Sequence, residues 1–518
     1  VLRKILISGG GTAGWLCACY LARTLNVKAA GTVAIELIES PDIGILGVGE
    51  GTFPSIRGTL AHIGISEARF IAATGATFKQ GIRFDHWVRA PGTAGADHYF
   101  HPFNVPSQRR MELLPYWLLG HAGDVPFASA VTMQKRVADA GRGPKRLRDP
   151  DYQGPMNYAY HFDASRFAAL LAEVGRELGV THRLGDITGV TRREDGAIAT
   201  IQTREFGDLK ADLYIDCTGL KGALLGEALG EPLHPLSDTL FVDRAVAIQI
   251  PYPAADTPIA SYTISTAHAA GWTWDIGLQT RRGVGYVYSS RHCSDDDAEQ
   301  VLRRYLGPAA DALTARRLPF KTGYRKAQWR HNCVAVGLSA GFLEPLESTG
   351  IGLIEIASYL IAHLLPHDGD FARAARHFNA MMQARYERIV DFIKLHYCLS
   401  QRQDSAFWRD NQDTVGIPQS LQDRLAEWRH RPPHRLDFVT DLEMFMPASW
   451  QFILYGMEFK TTLPHPAQYP DAVAAAQEFQ GLRQASNQAL ADLPPHRALI
   501  DSYLAGETSA RAAFPARA

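Results

Sequence analysis

Short apolar runs broken by glycine turns set the pattern of the first forty positions. "RKILIS" (residues 3–8) reads as a buried strand, "GGGTAG" (9–14) interrupts it, and "WLCACYLARTL" (15–25) continues with helical composition. "TVAIELIES" (32–40) reads as a second strand ending at Glu39, completing a βαβ unit. In "FDASRFAALLAEVGRELGV" (162–180) apolar positions recur at helical spacing behind Asp163 or Ser165 as the cap. "GAIATIQT" (196–203) and "DLYIDCTG" (212–219) are strand-like, the second closing on a glycine turn beside Asp216. From about residue 353 helices dominate: "LIEIASYLIAHLL", "FARAARHFNAMMQARYERIVDFIKLHYCL" and "AVAAAQEFQGLRQASNQAL".

This pattern predicts a mixed α/β (α+β) chain. A discontinuous Rossmann-type domain (residues 1–95, 157–230 and 320–365) is expected to interleave with a mostly helical module (96–156, 231–319 and 366–518). Two glycine-rich or basic stretches lack either period. "GILGVGEGTFPSI" (44–56) reads as a backbone-exposing loop, suited to lying against a cofactor or to moving. "GRGPKRLRDPDYQGP" (141–155) reads as a mobile loop or insertion whose charges face solvent rather than phosphate.

Composition narrows the partners. At 518 residues the chain exceeds one ordinary core, so two or three domains are expected. Lys plus Arg (53) nearly balances Asp plus Glu (54), giving no net field that would favour nucleic acid or a membrane surface. Apolar runs fall short of the roughly 20 residues of a membrane span, and Gly9–Gly14 stands where the apolar region of a signal peptide would lie. A cytoplasmic location follows as an expectation, although the chain begins at Val1 rather than Met. The six cysteines (Cys17, Cys19, Cys217, Cys293, Cys333, Cys398) form no CxxC and no zinc spacing, which suits buried free thiols and no metal.

Two segments carry chemistry. Gly9, Gly11 and Gly14 form G-x-G-x-x-G between strand and helix, with Glu39 25 residues beyond Gly14. Such glycines permit a tight turn and close backbone approach, the helix N-terminus faces a pyrophosphate, and the acid binds ribose hydroxyls. Only one such site follows a strand, so a cofactor reduced by an external partner is plausible. The second segment is "LEPLESTGIG" (343–352), with Glu344 and Glu347 three residues apart. Neither glutamate has histidine partners at metal-ligand spacing; helix capping and proton transfer remain open.

Together "GGGTAGW" (9–15), "GVGEGT" (47–52), the lysine of "TFKQGIRF" (77–84), "YIDCTG" (214–219), "GWTWDI" (271–276) and "GLSAGFLEPLESTGIG" (337–352) resemble the flavin-dependent tryptophan halogenases, over about residues 3–410. The resemblance implies a flavin-monooxygenase-like FAD domain with a helical substrate module in a bacterial cytoplasmic enzyme, monomer or homodimer. It implies FADH2 from a separate NAD(P)H-dependent flavin reductase, O2, and chloride or bromide. A flavin hydroperoxide would convert halide to hypohalous acid for an aromatic substrate. An aromatic monooxygenase or related FAD oxidoreductase is the alternative within this architecture, and a non-catalytic FAD-binding protein the alternative outside it.

The resemblance assigns residues as well. Lys79 would hold hypohalous acid by hydrogen bonding or transient N-halogenation. Glu347 would stabilise or deprotonate the cationic ring intermediate, or orient the hypohalous acid. Gly9, Gly11, Thr12, Ala13, Gly14, Glu39, Gly49, Ile187, Leu338 and Ile351 would contact FAD. Thr349 and Gly350 would bind halide through backbone N–H groups, and Ser348 would couple flavin to substrate. Trp272 and Trp274 alternate as same-face strand residues do, and would lie near flavin as in the family, with core packing the alternative, though Gly277 replaces the motif's usual proline. His101 and Phe103 of "FHPF" would sandwich an indole, with core packing the alternative for these two; Trp450 with Phe452, Tyr455 and Glu458 would build an aromatic pocket in the C-terminal wall. No Tyr-Tyr pair appears in "MPASWQFILYGMEF" (446–459), where the tryptophan-specific enzymes grip the amino-acid backbone. An indole or related arene is therefore expected rather than free tryptophan.

Overall fold

A computed structural model describes residues 1–44, 49–107, 111–366 and 368–513. The chain divides into two compact units, each assembled from three segments: residues 1–76, 162–236 and 321–386 in the first, and 77–161, 237–320 and 387–518 in the second. The second unit takes up residues 77–95, which the apolar pattern had assigned to the first. The reason is strand pairing: Gly81–Asp85 lies between Thr263–His268 and His98–Pro102 in one sheet. Long-range pairing of this kind leaves no local mark in a sequence.

In the first unit a six-stranded sheet runs in the order Trp329–Arg330, Cys333–Ala335, Leu213–Asp216, Lys4–Ser8, Ala34–Glu39, Thr181–Leu184. Lys4–Ser8 pairs in parallel with Ala34–Glu39 on one side and Leu213–Asp216 on the other. Parallel strands buried on both faces explain why "KILIS" and "LYID" are nearly continuous apolar runs. The crossover helix Thr12–Thr24 packs against Ala164–Glu177 and Thr349–Leu364, with Trp15 enclosed where Gly175 leaves room for its ring. Ala164–Glu177 is capped by Asp163, whose carboxylate accepts from the Ser165 and Arg166 amides. Ile198, Ile201 and Leu209 of a three-stranded sheet close a further core with Leu6, Ile38 and Tyr214.

The second unit is built on a seven-stranded sheet, in the order Arg316–Pro319, Arg244–Pro251, Arg281–Tyr288, Gly271–Gly277, Thr263–His268, Gly81–Asp85, His98–Pro102. All its pairs are antiparallel except Thr263–His268 with Gly81–Asp85. The expected helices accompany this sheet: Pro447–Gly456 packs on His98–Pro102, and Ala472–Asp492 spans the predicted 472–490 segment. The basic stretch 141–155 is tied down rather than loose. Gly143 N donates to Pro494 O, His496 N donates to Gly141 O, and Gln80 Nε2 donates to Arg142 O. Lys145, expected in solvent, is fully buried with Nζ donating to Pro150 O at 2.7 Å. All six cysteines are free; Cys17, Cys19 and Cys333 are buried, the other three only partly.

Candidate active site

In the first unit the turn after Lys4–Ser8 is shaped by crowding. Gly9 has φ +111°, and a Cβ there would lie 2.2 Å from Cys217 O; one on Gly14 would lie 1.8 Å from Gly9 O. A Cβ on Gly11, by contrast, would meet nothing within 4 Å, so this backbone faces open space. Helix Thr12–Thr24 begins there with no side-chain cap and no acid in its first turn, leaving the N-terminal amides to attract an anion. Ala13 sits against Gly337, whose added Cβ would lie 2.7 Å from its own. Glu39 Oε1 accepts from His182 Nε2 at 2.7 Å, and its Oε2 lies over Gly10. An open glycine turn, an uncapped helix and an acid poised above the turn fit a dinucleotide. Leu338 is 36% exposed and Ile351 is buried. Gly49 stands in the strand Gly49–Gly51, while residues 45–48 of the expected loop lie outside the described residues. Ile187 is partly buried against the Leu6–Ile38–Ile201 core.

Asp216 proves structural. It accepts from the Thr218, Leu224 and Leu225 amides at 2.8–3.0 Å, and so anchors the helical turn Ala223–Ala228.

"LEPLESTGIG" folds into a conformation its composition does not announce. Glu344 and Glu347 are both buried, and Glu347 (φ 64°) and Ser348 (φ 57°) are consecutive non-glycine residues in the left-handed region. Each costs roughly 1–2 kcal/mol relative to an ordinary backbone, and such strain concentrates at functional sites. It turns the chain abruptly into helix Thr349–Leu364, which again has no side-chain cap and no acid in its first turn. Gly350 is exposed, with nothing within 4 Å of a Cβ position. The Thr349–Gly350 amides thus form an uncapped positive helix end.

In the second unit Lys79 is fully buried on the strand Thr77–Lys79. Its Nζ lies 5.4 Å from the centroid of the half-buried Phe103 ring, within cation–π range. Phe103 N donates to Gln80 O, which fixes the two segments together. His101, buried, points its ring toward Phe392 (6.0 Å) and Phe452 (6.3 Å). Trp450 is a layer further back. Its ring is enclosed by Phe392, Trp428 and Phe438, and its N–H donates to Phe445 O at 3.2 Å, so packing rather than ligand contact accounts for it. Trp272 and Trp274 do share one face of Gly271–Gly277, a strand buried along its whole length. The Trp274 ring crosses Gly285, and the Trp272 N–H has no hydrogen-bond partner among the described residues. Next to Trp274 on the strand, the Asp275 carboxyl is raised by burial, against the pull of Arg282 at 3.1 Å.

A sequence profile of the tryptophan halogenase family matches residues 4–473. The chain belongs to the tryptophan halogenase family. It is 34% identical to the tryptophan 6-halogenase SttH of Streptomyces toxytricini over 95% of this chain and 96% of that one. Among solved structures, a tryptophan halogenase from Shewanella frigidimarina NCIMB 400 superposes with a TM-score of 0.93, at 43% identity and covering 97% of each chain. Xcc4156, a flavin-dependent halogenase from Xanthomonas campestris, superposes at 0.87 with 34% identity, over 97% of this chain and 98% of that one. The protein is a flavin-dependent halogenase with the mixed α/β fold of this family. No helix among the described residues is long and apolar enough to cross a membrane.

Two supporting residues escaped the sequence reading. His182 holds Glu39, and Glu355 on helix Thr349–Leu364 accepts from Ser55 Oγ (2.9 Å) and Thr59 Oγ1 (2.5 Å). Burial pushes the Glu355 carboxyl up to about 7, against the two hydroxyl hydrogen bonds. A lone acid inside an apolar helical run was the only available signal.

Proposed function

We propose that the chain halogenates an electron-rich arene, indole or an indole-like ring, by way of hypohalous acid made from chloride or bromide. Bound as FADH2 with O2, the cofactor supplies the oxidising equivalent; a separate NAD(P)H-dependent flavin reductase replenishes it. Gly9, Gly11, Thr12, Ala13, Gly14 and Glu39 hold its adenosine diphosphate portion, and Gly49, Leu338 and Ile351 flank the remainder. The Thr349 and Gly350 amides take the halide, with Ser348 linking that helix end to Glu347. Lys79 holds the hypohalous acid. A ring carbon attacks the halogen, the O–X bond breaks, and the departing oxygen leaves as water after taking a proton. Glu347 steadies the cationic ring and accepts the proton lost from the halogenated carbon. The observation that carries this reading is the strained Glu347–Ser348 pair at the uncapped helix end, since a merely structural turn would relax into an ordinary backbone or place glycine there.

The preference for an arene without an amino-acid backbone rests on the Trp450–Glu458 stretch. Glu458 is held by both arms of Arg89, at 3.0 and 2.5 Å, and Tyr455 OH pairs with Thr461 Oγ1 at 3.1 Å. Neither is left to grip an ammonium or carboxylate. His101 and Phe103 supply the wall for the ring, with Trp450 behind it. The test is mass spectrometry of an arene panel with FAD, a flavin reductase, NADH and each halide. Indole should acquire the isotope pattern of chlorine or bromine. A hydroxylated product with no halide would overturn the reaction, and faster turnover of tryptophan than of indole would overturn the substrate.

A further inference from the structure

Lys79 sits on a short outer strand. Thr77–Lys79 stands at the end of its sheet and pairs antiparallel with residues 159–161, Phe78 opposite Tyr160. The other edge of such a strand presents backbone groups that need partners from elsewhere. For Phe78 the partner is a side chain: its N–H donates to His496 Nε2 at 3.1 Å. The same imidazole donates from Nδ1 to Ile259 O at 2.9 Å. A carbonyl only accepts, so Nδ1 carries the proton and Nε2 is the lone pair that the Phe78 amide meets. His496 is buried, and burial lowers it to about 4 against the hydrogen bond to Ile259, so the ring keeps that lone pair in neutral solution.

These bonds close a ring around the lysine backbone. On the far side of Lys79, Gln80 N donates to Ser261 O at 2.7 Å, and Gln80 Nε2 donates to Arg142 O at 2.8 Å. Ser261 is two residues from Ile259, and Arg142 adjoins Gly141, whose carbonyl accepts from His496 N at 2.8 Å. Phe78 and Gln80, the two neighbours of Lys79, are therefore held to the same two loops. His496 is bonded to both of those loops and to the strand. Packing reinforces the tie. Tyr503, about two turns along helix His496–Ala513, sets its ring 6.0 Å from that of Phe78, which also meets Tyr158 at 5.3 Å and Tyr160 at 5.6 Å.

We propose that His496 is a positioning residue for Lys79: its imidazole ties the lysine's strand to the loop at Ile259 and so fixes where the ammonium projects. A side chain one residue from the tie moves with it, and a reacting group displaced by about 1 Å loses on the order of a hundredfold in rate. None of the motifs that single out Lys79 in the sequence includes His496.

The functional consequence rests on the assignment of hypohalous acid to Lys79. With the tie intact, hypohalous acid is held for the arene; with the tie cut, it escapes into solution. The residues assigned to flavin and halide belong to the first unit and are left as they were.

The test compares His496→Asn with His496→Gln. The asparagine amide reaches Ile259 O but not Phe78 N, whereas the glutamine oxygen replaces Nε2 as the acceptor. The full-length enzymes, loaded with reduced FAD, receive O2, halide, indole and excess taurine, whose amine captures escaped hypohalous acid as the N-haloamine. Halogenated indole per FADH2 oxidised should fall about tenfold or more in His496→Asn, with haloamine rising to match, and stay within about threefold of the parent in His496→Gln. FAD and indole dissociation constants should stay within about twofold in both, which a general loss of structure would not allow. Hydrogen exchange over peptides covering residues 77–80, read by mass spectrometry, reports the tie without turnover. It should speed up about tenfold or more in His496→Asn and less than about threefold in His496→Gln. His496→Phe, which fills the space without an acceptor, replaces the asparagine variant if that one does not fold. Unchanged exchange, or faster exchange with the parent's product ratio, would overturn the proposal. A Lys79→Met enzyme that couples like the parent would instead refute the assignment of hypohalous acid to Lys79, and the exchange data then decide the tie alone.

Discussion

Lys79 and Glu347 are buried groups whose side chains are ordinarily solvated, so each substitution must separate chemistry from packing. Lys79→Met keeps the length of the chain and Glu347→Gln keeps the shape of the carboxylate. Each is expected to lower halogenation by about a hundredfold or more, the scale of lost acid–base or electrostatic assistance. FAD affinity, read by fluorescence quenching, should stay within twofold. Halogenation within threefold of the parent enzyme in either variant would remove that residue from the mechanism. Both positions are singled out in the sequence because their neighbours form motifs that resemble the family's. The left-handed turn at Glu347 and Ser348 is not, because nothing in "PLEST" requires positive φ; glycine, the usual mark of one, arrives only at Gly350. Trp450 illustrates the opposite error. A tryptophan in an aromatic stretch suits a ligand wall and a core equally, and only the three-dimensional packing separates them.

Helix Thr349–Leu364 joins two tasks in one element. Its N-terminal amides are offered to halide, and one turn further along Glu355 binds the helix to Ser55–Ile63 through Ser55 and Thr59. Gly350→Pro deletes one amide in a first turn where proline is tolerated, whereas Gly350→Ala keeps it and its Cβ meets nothing. The halide KM should rise about tenfold or more in the proline variant and change little in the alanine one; equal values would sink the backbone site. Glu355 sets a pH dependence. Its folded-state value is raised, from 4.5 to about 7, so the stability of burying it is fully present below 4.5 and lost as pH rises through 7. Glu355→Gln should match the parent near pH 5 and exceed it at pH 8 by on the order of 1–3 kcal/mol. Denaturation midpoints with a constant difference across that range would refute it. Periodicity had located this helix from residue 353, but its true start at Thr349 follows from the strained turn before it. The 141–155 stretch failed for a related reason. Its anchors, Pro494 and His496, lie some 350 residues away, where no local pattern reaches.

For the molecule as a whole, the interleaved segments sort the proposed chemistry between the two units. Glu39, Gly11, Leu338 and the Thr349–Gly350 amides all belong to the first; Lys79, His101, Phe103 and the Arg89–Glu458 pair all belong to the second. The βαβ beginning and the return of apolar strands made this alternation legible, while the exact crossing points depended on sheet pairing. The partition predicts separable binding defects. Glu39→Ala, losing a ribose contact together with its His182 partner, should weaken FAD by roughly tenfold, on the order of one charge-assisted hydrogen bond, without altering the dissociation constant for indole. Phe103→Ala should do the reverse, weakening indole by roughly tenfold through lost aromatic contact while FAD binds as before. Calorimetric titration of each ligand into each variant decides the matter, because neither readout needs turnover. If Phe103→Ala weakens FAD as strongly as indole, the arene does not belong to the second unit's wall. If tryptophan binds tighter than indole in the parent enzyme, an amino-acid clamp exists that the engaged Glu458 and Tyr455 do not provide, and the substrate class must be redrawn around it.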